Sequence, residues 1–126
     1  MKLHPNSTQA YQTVTGYFAG GVEINAQPYD YSLIVLPETP PRAWPVASFE
    51  QLTVEHFEQL LADAPDVVIL GTGERQRFVH PRLTAPLMGK HIGVECMDTN
   101  AACRTYNILM AEGRKVTLAL IIEKIA

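Results

Sequence analysis

The sequence predicts an α/β fold: one layered domain with a central mixed β-sheet flanked by helices. Three observations lead there. From Asp66 onward, short apolar runs of strand length alternate with helix-type segments, giving the order strand, helix, strand, helix, strand. The first half instead holds a glycine pair suited to a hairpin and a cluster of prolines, features of antiparallel or edge strands. Finally, 126 residues that are 47% hydrophobic and 18% charged suffice for one core of their own, without metals or disulfides.

Taken in order, residues 13–18 and 22–25 flank Gly20-Gly21, where glycine accepts the positive φ of a tight turn. Residues 29–36 follow, becoming apolar on both faces as a central strand does. Pro37, Pro40, Pro41 and Pro45 break regular structure, leaving residues 42–46 as a short edge strand. The first helix starts at Thr53, whose hydroxyl can cap it. Val54, Phe57, Leu60 and Leu61 recur on one face, and Pro65 stops it.

Residues 66–70 form a near-continuous apolar strand, and Gly71-Thr72-Gly73-Glu74 turns the chain. A short helix is expected from Pro81 to about Met88, weakened by Pro86 and ended by Gly89. Residues 92–97 make the next strand. Asp98-Thr99-Asn100 then offers three helix caps in a row, Ala102, Tyr106, Leu109 and Met110 share a face, and Gly113 ends the helix. Residues 115–122 form the last strand. The second half thus reads as βαβαβ with parallel neighbouring strands and right-handed crossovers.

Composition narrows the function classes. No run approaches the ~18 apolar residues of a membrane span, and Met1 to Asn6 hold no signal-type core. The two cysteines, Cys96 and Cys103, match no zinc, redox or disulfide pattern, so a reducing, cytoplasmic setting is expected. The net charge of −3 conceals an asymmetry: residues 1–66 sum to −6 and residues 67–126 to +3, with Arg75, Arg77, Arg82 and Lys90 close together. A basic cluster of this kind suits an acidic protein partner or a small anion. Nothing points to nucleic acid.

No enzyme pattern emerges. Gly71-Thr72-Gly73-Glu74-Arg75-Gln76 follows a strand but lacks the third glycine and the immediate helix of a dinucleotide fingerprint. Histidines 4, 56, 80 and 91 have no metal-site spacing, and no serine elbow is present. Cys103 sits about one turn into a helix at the margin of its apolar face, as a half-buried, inert thiol. No catalytic residue, metal or cofactor is therefore assigned, and oligomeric state is not legible. One location stands out. The 71–74 and 97–100 turns both follow parallel strands at their carboxyl ends, the edge where open α/β sheets bind ligands. If those strands are neighbours, Gly71, Thr72, Gly73, Glu74, Arg75, Asp98, Thr99 and Asn100 line one crevice, with Arg104 one turn further on.

The run from Gly93 to Asn107 (GVECMDTNAACRTYN), followed by Glu112-Gly113-Arg114 and preceded by Val68-Ile69-Leu70-Gly71-Thr72-Gly73, resembles the small MTH-type domain family of unknown function. That family includes a mitochondrial complex I assembly factor and an adipogenesis-associated protein. The resemblance covers nearly the whole chain, including Gly16-Tyr17-Phe18. It implies a compact α/β fold around a mixed sheet, no established catalytic residue or cofactor, and a role in protein interaction or assembly.

Overall fold

The computed structural model describes residues 11–124. The N-terminal hexapeptide considered above, with His4, lies outside them. Eight strands and three helices follow in the order β1 (Val14–Phe18), β2 (Gly21–Ile24), β3 (Gln27–Tyr29), β4 (Leu33–Val35), β5 (Arg42–Ala43), α1 (Val54–Glu58), β6 (Val67–Gly71), α2 (Pro81–Met88), β7 (Gly93–Met97), α3 (Thr99–Ala111) and β8 (Val116–Leu120).

The main sheet is mixed, with strand order β5-β4-β8-β6-β7. β6 pairs in parallel with both β7 and β8, while β4 is antiparallel to β8 and to β5. Its central strands are covered on both faces, which explains their unbroken apolar runs. Along β8, Val116, Leu118 and Leu120 join a cluster with Ile69, Ala102 and Tyr106 on the α3 side. Ala119 and Ile121 join Val68, Leu70, Phe57, Leu60 and Leu87 on the α1–α2 side.

The hairpin segment does not extend this sheet. β1, β2 and β3 form a separate three-stranded antiparallel sheet, whose Val14, Val22 and Ile24 close the α3-side core. The expected strand over 29–36 is accordingly split. Ser32 lies at the break, where its buried hydroxyl donates to the Val46 carbonyl (2.6 Å) and accepts from the Ile122 N–H (2.9 Å). A chain crossing between two sheets has to satisfy its polar groups this way.

The helix expected from Thr53 to Pro65 is α-helical only to Glu58 and continues as a 3-10 helix over Gln59–Asp63. It ends at Ala64 in the left-handed conformation, φ 47°. α2 runs from Pro81 to Met88 despite Pro86, and α3 is capped by Asp98, whose carboxylate accepts from the Ala101 N–H at 2.9 Å. Cys103 is fully buried, not half-buried, at 2% exposure.

Two residues of α3 tie the small sheet to the helix. The Asn107 side chain accepts from the Val14 N–H (3.0 Å) and donates to the Val14 carbonyl (2.9 Å), imitating one residue of a neighbouring strand. The Tyr106 hydroxyl donates to the Gln12 carbonyl at 2.6 Å.

Candidate functional site

β6 and β7 are parallel neighbours in register Gly71↔Met97, so the turns that follow them emerge side by side. The Thr99 N–H donates to the Gly73 carbonyl (2.8 Å), and the Gln76 side chain donates to the Cys96 carbonyl (2.8 Å). Both turns face a crevice of about 710 Å³ lined by Gly73, Glu74, Arg75, Asp98, Thr99 and Asn100. The other wall is the β1–β2 hairpin tip, Tyr17 to Gly21, and the floor includes residues 121–124 and Arg77.

Gly71, Thr72 and Arg104 are not among the lining residues. Gly71 is buried where a Cβ would stand 2.6 Å from the Leu120 side chain of β8 and 3.4 Å from the Ala102 methyl, so glycine leaves the room that Leu120 fills beside β6. Thr72 is fully buried and its hydroxyl is committed: it donates to the Arg75 carbonyl (2.7 Å) and accepts from the Arg77 N–H (3.0 Å). Thr72 shapes the turn from within. Gly73, at φ 106°, completes it in a conformation open to glycine. Arg104 is exposed on α3.

Arg77 is not a surface arginine of the kind its neighbours are. Its guanidinium donates to the Thr72 carbonyl at 2.8 Å, lies 3.3 Å from Glu123 and 3.4 Å from Glu50, and stacks 4.4 Å from the Phe49 ring centroid. Glu123 in turn accepts from the Phe49 N–H at 2.8 Å. Arg77 therefore fastens the 71–80 loop to the C-terminal segment and to the turn at Phe49. Arg75 is exposed and belongs to no ion pair among the described residues.

The lining offers little for catalysis. Asp98 is spent on its helix cap and Glu123 on Arg77, which leaves Glu74 as the exposed carboxylate. The helix start gives a small anion little free positive potential, because the Asp98 carboxylate already occupies it. His56 and His80 serve as acceptors at helix starts, for the Thr53 and Arg82 N–H groups (both 3.0 Å). Among the described residues no group of three His, Cys, Asp or Glu side chains can hold a metal. Burial pushes the Cys103 thiol up to about 12, with Arg104 opposing weakly, so it stays protonated at neutral pH.

The aromatic wall was the part missed by sequence reasoning. Tyr17 and Phe18 are each 48% exposed. Gly20-Gly21 locates a hairpin but says nothing of which crevice its tip overhangs.

The family model described as "Protein of unknown function (DUF498/DUF598)" matches residues 14–121. The chain belongs to the DUF498/DUF598 family. A crystal structure of a Bordetella parapertussis protein is 42% identical, with a TM-score of 0.87, covering 93% of this chain and 100% of that one. A Bordetella pertussis protein described as a Mth938-like domain is 37% identical with a TM-score of 0.81, covering 98% of this chain and 93% of that one. This agrees with the MTH-type resemblance. The mouse protein named NADH dehydrogenase (ubiquinone) 1 alpha subcomplex assembly factor 3 is 36% identical over 90 residues, 70% of this chain and 48% of the mouse protein. The chain thus spans about half the length of that mouse protein. Among the described residues no helix is long and apolar enough to cross a membrane.

Proposed function

We propose that this chain is a non-enzymatic assembly factor that holds a protein partner at the crevice between the β1–β2 hairpin and the β6 and β7 turns. The partner belongs to an NADH dehydrogenase-type or another membrane complex. The observation that carries the reading is the 36% identity to a protein named as a complex I assembly factor. The geometry supports it: exposed Tyr17 and Phe18 stand across one crevice from exposed Arg75. Aromatic and arginine side chains together are the usual anchors of a protein interface. The partner segment that fits is acidic with an apolar anchor, and the two free cysteines suit a cytoplasmic setting.

The test is a deletion in the source organism, with assembled NADH dehydrogenase complex followed on native gels. Loss of the complex, restored by wild type but not by a folded Tyr17→Ser/Phe18→Ser/Arg75→Glu variant, is the expected result. An undiminished complex in the deletion strain would end the assembly reading. Restoration by the triple variant would move the interface elsewhere.

A further inference from the structure

The β1–β2 hairpin leaves one edge open beside the crevice. In an antiparallel pair closed by a two-residue turn, the closing residues bond to each other and the residues next to them point outward. Here the turn is Ala19-Gly20 and the closing pair is Phe18 and Gly21, so the Tyr17 N–H and carbonyl point away from β2. The bulge between Val14 and Gly16 inserts one residue, which makes Val14 the preceding position with outward groups. The two positions differ. Val14 is satisfied by the Asn107 carboxamide, which accepts from its N–H at 3.0 Å and donates to its carbonyl at 2.9 Å. Among the described residues, neither a side chain nor a further strand bonds the outward groups of Tyr17.

The helix α3 runs along this edge. Asn107 stands at Val14, while Thr99 and Asn100 at the helix start share the crevice with Tyr17 and Phe18. The spans agree, since seven helical residues cover ~10 Å and three strand residues cover ~10 Å as well. The crevice of about 710 Å³ is therefore the open continuation of a slot between β1 and α3. Asn107 fills the other end of that slot by imitating one residue of a strand.

We propose that the open end receives an extended segment of the protein partner, which adds a strand to the outer edge of β1 and exchanges hydrogen bonds with the Tyr17 N–H and carbonyl. The unmet groups are one donor and one acceptor, spaced as an extended backbone pairs with them. The exposed Tyr17 and Phe18 supply side-chain neighbours for the added residues. From Tyr17 to the tip at Gly20 the free edge is ~10 Å long, room for about three residues. A second copy of this chain does not suit the slot, because its β1 carries its own α3 along the edge that it would have to offer. The inference rests on the crevice holding a protein, as proposed above, but not on which complex that protein belongs to.

The probe is a random dodecapeptide library displayed on phage and selected against the full chain. Selected peptides are then followed by amide chemical shifts and hydrogen exchange. Without peptide, the Tyr17 amide is expected to exchange freely while the Phe18 amide is protected. At saturation with peptide, Tyr17 exchange should slow by roughly tenfold, the equivalent of one net hydrogen bond. Tyr17→Pro, tolerated where an edge N–H faces outward, should bind roughly tenfold more weakly than Tyr17→Val, since both lose the ring and only proline lacks the donor. Peptides that shift Tyr17 and Arg75 yet leave the Tyr17 amide unprotected, or that bind both variants alike, would overturn the added strand and spare the crevice as a protein site. Selection of no crevice-binding peptide would also overturn it, and the deletion strain would still decide the assembly role separately. Protection of Tyr17 that grows with protein concentration in the free chain would put a second copy on the edge and overturn the proposal too.

Discussion

Replacing Asn107 with alanine tests whether the second half of the motif from Arg104 to Asn107 is architectural. The substitution removes two hydrogen bonds, to the Val14 N–H and carbonyl, and leaves both groups of a buried residue without that partner. At ~1 kcal/mol per net hydrogen bond, plus part of the penalty for unpaired groups, the loss comes to about 2–3 kcal/mol. An unfolding entropy of ~2.1 cal/mol/K per residue gives roughly 0.26 kcal/mol/K for this chain, so Tm should fall by about 8–11 °C. Thermal melts by circular dichroism measure the drop, and hydrogen exchange should show loosening concentrated in β1 to β3. Asn107→Asp is expected to lose as much, because a carboxylate would face the Val14 carbonyl. A Tm within about 2 °C of wild type for Asn107→Ala would refute the clamp, since that is well under one hydrogen bond's worth.

Three further outcomes follow from the same geometry. Arg77→Glu puts a carboxylate beside Glu50 and Glu123 and should cost about 2–3 kcal/mol, whereas Arg75→Glu should stay within ~0.5 kcal/mol; urea melts of both variants check the contrast. Ala64→Gly relieves a left-handed alanine at φ 47° and should stabilise by about 0.5–1 kcal/mol, read as a shifted denaturation midpoint. Stability should fall as pH rises from about 9 towards 12: the unfolded Cys103 thiol ionises from 9.0, while burial keeps the folded one protonated up to about 12. Burial raises the Tyr106 phenol in the same direction. Melting curves between these limits should fall less steeply for Cys103→Ala, and equal slopes would count against the thiol's part.

How much was legible in the sequence depended on the distance between cause and effect. Asp98 as a cap, Pro81 as a helix start and Gly113 as a helix end at φ 83° each act within a few residues, and all were readable. The pairing of the two turns was accessible too, because a strand–helix–strand unit tends to make its strands parallel neighbours. The split at Ser32 was not, since its two partners, Val46 and Ile122, lie 14 and 90 residues away. Arg77 reads as one of several loop arginines until Glu123, 46 residues on, comes into contact. Thr72 reads as a crevice residue because periodicity fixes which turn it occupies, not where its hydroxyl is spent. The 3-10 continuation after Glu58 likewise has no periodic signature distinct from an α-helix over five residues.

The insertion of β8 between β4 and β6 has a consequence for biosynthesis. Leu33, Ile34 and Val35 pair with Leu120, Ala119 and Leu118, so one long side of β4 waits for a stretch made some 85 residues later. The β1–β3 meander can close as soon as it leaves the ribosome, whereas β6 and β7 can pair before β8 exists. A nascent chain paused after β4 has emerged but short of residue 118 therefore presents an uncovered Leu-Ile-Val edge, the kind of surface that chaperones hold and that neighbouring nascent chains can seize. Slow codons would be harmful late in the message, between β7 and β8, and harmless near its start.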